Sequence, residues 1–322
     1  MDLIADIGGT NTRCALVRDG RITAVRRLRN ADFTGLSEVL LHYLAELGRP
    51  GAPEAVALSV AAPVIDDRVA LTNLRWSFSR RTLATTLGAR RLHVVNDYTA
   101  LAWSLPLLRA EDTVTIGGGS TDPRAPRAVI GPGTGLGTGV LVPPDDGDWT
   151  VVPGEGGHVT LAAANAREAA VIAHVRERVG HVSAERLLSG PGLALLYRTL
   201  AELDGARATT PDPAQVTAAA AAGDARADEA LELFLCMLAT TTADLALTVG
   251  ARGGVYLAGG ILPALEARVR ASGFRARFED KGRYAGYLAA IPVRLITCEE
   301  PAFPGLREII RRGRPPLDPG RW

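Results

Sequence analysis

Lysine is almost missing from this chain: Lys281 is the only one, so 35 of the 36 basic residues among 322 are arginine. That scarcity excludes whole chemistries. A Walker A loop needs a lysine directly after its last glycine, and a protein kinase needs one on its third strand. Lys281 sits in Phe278-Glu-Asp-Lys-Gly-Arg283, which is neither context. Phosphate handling therefore falls to backbone amides, arginine or a metal ion. Cysteine is also scarce. Cys14, Cys236 and Cys298 form no C-x-x-C pair and are odd in number, which argues against a disulfide scaffold and for a reducing compartment. An excess of one charge is absent too, with Lys+Arg 36 against Asp+Glu 35, so no nucleic-acid partner is expected. Aromatics make up only 5% while hydrophobic residues reach 47%, so the interior must be filled with Ala, Leu and Val. A single core rarely grows past about 250–300 residues, so two lobes are expected.

Uninterrupted apolar runs are lacking as well. Asp2 and Asp6 break the N-terminal stretch and no basic segment precedes it, so it reads as a strand and not as a signal peptide. Residues 231–249 are the most apolar long stretch, but Glu232, Asp244 and the threonines 240–242 make them too polar to span a bilayer. A cytoplasmic protein with no membrane partner is expected.

The patterning that is present describes a mixed α/β chain. Residues 3–7, a Gly8-Gly9-Thr10-Asn11 turn, residues 13–17, an Asp19-Gly20 hairpin signal and residues 22–28 read as an antiparallel start. Helical spacing follows over 35–47, then strands over 55–60 and 68–71, a short helix over 79–87, and a buried strand over 92–95 that runs into Asn96-Asp97. The opening theme then recurs: residues 128–130, the turn Gly131-Pro-Gly-Thr-Gly-Leu-Gly137 and a strand over 138–142, so the two halves look like distant copies. Helices are expected over 167–179, 191–202, 213–222 and 226–249, and a strand over 255–258 that leads into Gly259-Gly260. The basic, proline-rich end from Arg311 reads as a tail.

Several turns carry chemistry. Asp6-Ile-Gly-Gly-Thr-Asn11 joins two strands with glycines that permit positive φ and expose N–H groups to a phosphate; an ordinary hairpin turn is the plain alternative. Asp6 at its entrance suits hydrated Mg²⁺, which keeps several waters and takes one or two carboxylates. The turn at 131–137 resembles a dinucleotide G-x-G-x-x-G, but it leads into a strand where that motif needs a helix. Two such loops together with Leu257-Ala-Gly-Gly260, where backbone can lie against an adenine, favour a nucleotide clamp. Asp97 stands at the C-terminal end of an apolar strand, where it serves either as a general base or as the N-cap of the next helix. Glu155 and His158 lie in the glycine-rich Pro153-Gly-Glu-Gly-Gly-His158, whose spacing is not that of a zinc site. A polyol suits it better, with Glu185 either a further member or a solvated helix-start glutamate.

Taken together, Asp6-Ile-Gly-Gly-Thr-Asn11, Leu71-Thr-Asn73-Leu-Arg-Trp76, Asn96-Asp97, Gly131 to Gly137, Pro153 to His158, Gly180-His-Val-Ser-Ala-Glu-Arg-Leu-Leu-Ser-Gly-Pro-Gly192, Leu257 to Gly260 and Ser272 to Arg283 resemble the bacterial ATP-dependent glucokinases. The resemblance implies a two-lobed actin-like ATPase (ribonuclease H-like) fold with a central cleft. The small domain would span 1–107 plus 299–322, and the large one 108–298. It further implies that ATP and Mg²⁺ are used to phosphorylate the 6-hydroxyl of glucose. Asp97 would be the base, and Asn96, Asp97, Glu155, His158 and Glu185 would contact the sugar. Ala5, Asp6, Ile7, Gly8, Gly9, Thr10, Gly131, Gly133, Thr134 and Gly135 would contact the phosphates, with Mg²⁺ near Asp6 through water, and Gly259 and Gly260 the adenosine. The expected partners are glucose and ATP, together with a second copy of the chain. Another hexose or amino-sugar kinase, or a non-catalytic sensor of the same fold, is the rival reading. The resemblance has two departures: Ala5 stands where relatives often have glycine, and the C-terminal segment lacks a small, glycine-rich helix start. Prolines there leave 306–312 as the expected closing helix, docked on the first lobe, with everything beyond Arg314 dispensable.

Overall fold

The computed structural model describes residues 1–48, 51–72, 74–144, 148–207 and 209–313, so Asn73 and the tail from Arg314 lie outside the described residues. The chain forms two compact units, one of residues 1–109 with those from Cys298 onward, the other of Ala110–Thr297.

In the first unit, strands β1 (Asp2–Ile7), β2 (Asn11–Arg18) and β3 (Arg21–Arg29) form the expected antiparallel start. Helix α1 (Leu36–Glu46) leads to β4 (Ala55–Val60), which is buried on both faces and lies parallel to β1. A small ribbon of β5 (Arg68–Ala70) and β6 (Ser77–Ser79) precedes α2 (Arg80–Leu87), β7 (Arg91–Asn96) and α3 (Asp97–Ser104). The sheet order is β3-β2-β1-β4-β7, and β1, β4 and β7 all run parallel. Ser79 starts α2 by accepting from Thr82 N–H, and Gly88, in the left-handed region, ends it.

The C-terminal helix spans Phe303–Arg312, one turn more than the prolines suggest, because Pro304 falls in its first turn where a missing N–H costs nothing. It packs on α3, β1 and β4. The glycine expected at its start is Gly305: a Cβ there would run into the Ala100 carbonyl oxygen, and its N–H donates to Ser104 Oγ at 2.8 Å. Leu306, Ile309 and Ile310 are buried against Ile4, Ala57 and Val95 of the sheet. Arg312 lies over the Trp103 ring, 4.7 Å from its centroid.

In the second unit, β8 (Thr113–Gly117) precedes the hairpin β9 (Arg127–Pro132) and β10 (Leu136–Val142), followed by β11 (Thr150–Pro153). Helices α4 (Ala166–Val179), α5 (Ala184–Leu187), α6 (Gly190–Leu203), α7 (Pro213–Ala221) and α8 (Ala225–Val249) follow. Then come β12 (Val255–Leu257), α9 (Glu266–Ala271), α10 (Phe274–Glu279), α11 (Ala285–Ala289) and β13 (Val293–Ile296). The sheet order is β11-β10-β9-β12-β13-β8. Its first five strands repeat the order and directions of the first unit, with two antiparallel steps followed by two parallel ones. The edge strand β8 is the addition. Helix α8 is long and apolar enough to cross a membrane, yet it is the core of this unit: Phe234, Leu235, Met237 and Leu238 are fully buried. Each threonine of its run bonds back to a carbonyl one turn earlier, so no hydroxyl is orphaned.

His93 on β7 is the least satisfied buried group of the first unit. It is 5% exposed and neither ring nitrogen has a protein partner. Burial first, then the nearby cations Arg91 and Arg80, lowers its pKa, so the folded protein holds it neutral. An unfolded histidine takes a proton near pH 6.5, so His93 keeps its contribution above that pH and loses it as the pH falls toward the folded value. Melting temperature should therefore drop between pH 7 and 5. His93→Leu should flatten that limb and raise stability by about 1 kcal/mol. Parallel wild-type and variant melting curves across this range would refute the assignment.

Candidate functional site

The turn between β1 and β2 is not shaped by positive φ, as the sequence suggests: neither Gly8 nor Gly9 has it. The glycine requirement is steric, since a Cβ on Gly8 would lie 3.2 Å from the Asn11 carbonyl oxygen. Three carbonyls of this turn are engaged. Gly8 O accepts from Asn30 Nδ2 at 2.8 Å, Thr10 O from Asn30 N–H at 2.9 Å, and Asn11 O from Gly8 N–H at 3.0 Å. With its oxygens tied back, the turn presents the N–H groups of Gly9 and Thr10, the arrangement that suits a phosphate. Ile7 is almost fully buried beside them, whereas Ala5 is 0% exposed and paired on both sides within the sheet.

Parallel pairing sets Asp6 level with Ser59, and Ile7 level with Val60 and Asn96, at the C-terminal ends of their strands. Asp6 Oδ1 accepts from Ser59 Oγ at 2.6 Å and Oδ2 from Arg13 at 3.1 Å. Both carboxylate oxygens are engaged by protein donors, so the donor set fits a hydrated Mg²⁺ held through its waters better than one bound directly. The helix cap expected of Asp97 falls to its neighbour: Asn96 Oδ1 accepts from Tyr98 and Thr99 N–H, at 2.9 and 3.4 Å. This leaves the Asn96 amide N–H groups for a ligand. Asp97 is the first helical residue, and its Oδ1 takes Tyr98 N–H at 3.0 Å.

In the second unit the glycine-rich turns pack on one another. The turn after β9 again has no positive φ at Gly131, Gly133 or Gly135. Gly133 is the open position, where a Cβ would touch nothing, whereas Gly131 is buried and paired with Gly137. Gly259 does need a left-handed φ of 89°, and a Cβ on it would strike the Pro132 carbonyl, so the 259–260 turn lies on the base of this loop. Gly260, like Gly133, faces open space. The loop is anchored to α6, whose Gly190 N–H donates to Gly133 O at 2.8 Å.

Glu155 and His158 flank a short turn that rests on β10: Gly156 N–H donates to Thr138 Oγ1 at 3.0 Å, and a Cβ on Gly157 would run into Leu136 O. Ala184 N–H donates to Val159 O at 2.8 Å, which ties this turn to α5. Glu185 is not the solvated glutamate of the alternative reading. Its Oε2 accepts from Leu136 N–H at 2.9 Å and its Oε1 lies 4.0 Å from His158 Nε2. Thr134, His158, Ser183, Glu185, Arg186 and Ser189 line a cavity of about 300 Å³, so residues expected to bind phosphate and residues expected to bind sugar share its wall.

A glucokinase family profile matches residues 3–312. The chain is 48% identical to the glucokinase of Chromobacterium violaceum over 94% of its length and 87% of that protein's. It is 46% identical to the glucokinase of Paramagnetospirillum magneticum over 96% of its length and 97% of that protein's. The chain belongs to the glucokinase family. The solved glucokinase of an Antarctic psychrotroph superposes with a TM-score of 0.86 at 35% identity, over 97% of this chain and 98% of that one, and the fold is the actin-like ATPase fold.

Sequence reasoning missed Asn30 and Leu136. Asn30 is 3% exposed and holds the turn between β1 and β2 through three bonds, the third accepted from Thr12 Oγ1 at 2.8 Å. An asparagine after a run of arginines carries no local signal. Its partners lie about twenty residues away, and only the pairing of β2 with β3 delivers it there. Asn30→Ala would orphan Gly8 O and the Thr12 hydroxyl and loosen the turn, at about 1–3 kcal/mol per stranded buried group. The Michaelis constant for ATP should rise severalfold with that for sugar nearly unchanged. Equal changes in both constants would mean that Asn30 serves the fold alone.

Proposed function

We propose that this protein transfers the γ-phosphoryl group of ATP to the 6-hydroxyl of glucose. The observation that carries the reading is the cavity wall on which Glu185 and His158 stand beside Thr134 of the phosphate loop. Paired acceptors at that spacing take hydrogen bonds from adjacent hydroxyls, and Glu155 on the same turn adds a second carboxylate. Asn96 donates its amide N–H groups to the sugar. Asp97 accepts the proton of the attacking hydroxyl, so that the oxygen forms its bond to phosphorus as the bond to ADP breaks.

The phosphates are met by the N–H groups of Gly9, Thr10 and Thr134, and the adenosine by Gly259 and Gly260. Asp6 would hold a hydrated Mg²⁺ through its waters, and the ion would supply charge neutralisation for the phosphates. Holding both reactants in line supplies most of the acceleration, which is why no lysine is needed. The same reading places the enzyme in the cytoplasm as a homodimer. Three cysteines outside any disulfide support the reducing compartment, and sedimentation at micromolar concentration tests the dimer.

A coupled ADP-release assay over a panel of hexoses and amino sugars tests the activity, with glucose expected to give the highest kcat/KM. Asp97→Asn keeps the shape and loses the base, so kcat should fall about 10²–10⁴-fold while glucose affinity changes less. Retention of more than about a third of wild-type kcat would remove Asp97 from that role. Glu185→Gln should weaken glucose binding about tenfold or more, with ATP affected far less. Wild-type glucose binding in a folded Glu185→Gln protein would take residue 185 out of the sugar site.

A further inference from the structure

The two oxygens of Glu185 face different parts of the site. Oε1 looks toward His158, whereas Oε2 is held by the N–H of Leu136, the first residue of β10 directly after the phosphate loop. That bond exists only because residue 135 is glycine: a Cβ there would overlap Oε2 and stand 3.1 Å from the carboxyl carbon. The three nearest atoms to that Cβ position outside the adjoining residues all belong to Glu185, so the glycine makes room for this one side chain. Neither the turn nor α5 can back away. Gly133 N–H donates to Gly135 O and Gly133 O accepts from Gly190 N–H, both at 2.8 Å. Ala184 and Leu188, on either side of Glu185, are held by backbone bonds to Val159 O and Ala184 O, both at 2.8 Å. What can move is the end of the Glu185 side chain.

The geometry points to Gly135 and the Leu136 amide as the pair that positions Glu185 for the sugar, so that the phosphate loop and the sugar-holding carboxylate form one mechanical unit. The inference rests on the reading of Glu185 as a sugar ligand. A sugar that draws on this carboxylate also acts on the N–H that ends the phosphate loop, and any coupling of sugar and nucleotide affinity carried by that bond is reciprocal. Gly135 is a positioning residue, since its own atoms need touch neither substrate.

Because a flexible side-chain end relieves the clash, Gly135→Ala should fold, with its carboxylate swung out of place. Its kcat/KM for glucose at saturating ATP should fall about tenfold or more, carried mainly by KM. In a Glu185→Ala background the same substitution has nothing to displace and should cost less than about twofold, the behaviour of two residues acting through one contact. Equal losses in both backgrounds, or a larger loss of ADP affinity than of glucose affinity, would overturn the proposal. If Glu185→Ala alone left glucose use at the wild-type level, the sugar-ligand reading would fail instead, which keeps the two failures apart. Amide hydrogen exchange supplies a measurement that does not depend on Gly135→Ala folding. In Glu185→Ala without substrates, the Leu136 amide should exchange about fivefold faster or more than in the wild-type protein, and an unchanged rate would refute the positioning bond.

Discussion

Leu136 is the residue about which the second unit's site is arranged. Its N–H holds the Glu185 carboxylate, its carbonyl lies where a side chain on Gly157 would have to be, and its backbone pairs with Pro132 at the mouth of the β9–β10 hairpin. Segments far apart in sequence therefore meet on this residue and its strand partner. Each can do so only where a Cβ is absent, at Gly135, Gly157 or, one step away against Pro132, Gly259. Gly157 and Gly259 serve close approach of main chain to main chain and Gly135 that of a carboxylate, and Gly259 alone among those at 131, 133, 135 and 259 also needs a left-handed φ.

The first unit solves the matching problem with one buried side chain. Asn30 ties the Gly8 and Thr10 carbonyls of the turn between β1 and β2. At the strand ends, the amide oxygen of Asn96 takes the helix cap that Asp97 would otherwise supply. The division suits the chemistry. A cap needs only an acceptor, and a neutral amide provides it, whereas a proton acceptor at a strand's C-terminal edge needs a carboxylate.

How much of this was legible in the sequence follows from the range of each interaction. The strand–turn–strand openings, the four longest helices and the repeated theme rest on local periodicity and turn residues, and five strands of each sheet share their order and directions as that repetition suggests. Asp6, Asn96, Asp97, Glu155, His158 and Glu185 stood out because charged and amide side chains at the ends of apolar runs or among glycines are unusual. Contacts between distant segments were not legible: Asn30 with the first turn, Leu136 with Glu185, Gly305 with Ala100. The C-terminal helix was cut short by treating Pro304 as a breaker, when in a first turn it is not one.

The near-absence of lysine ties these points together. A lysine brings a mobile point charge that finds a phosphate by itself, whereas a backbone N–H cannot move toward its ligand. An enzyme that relies on amides must hold its turns where the phosphates will be, and that requirement falls on tied carbonyls and missing side chains. The arginines, meanwhile, are largely spent on structure. Arg277 pairs with the fully buried Glu168 at 2.8 Å, Arg275 binds the carbonyls of Ala289 and Ile291, and Arg167 bridges Glu229 and Asp204. Rigid donors also cost no reorganisation as charge develops on the transferring group, so a site built from backbone is preorganised for the transition state as well as for binding.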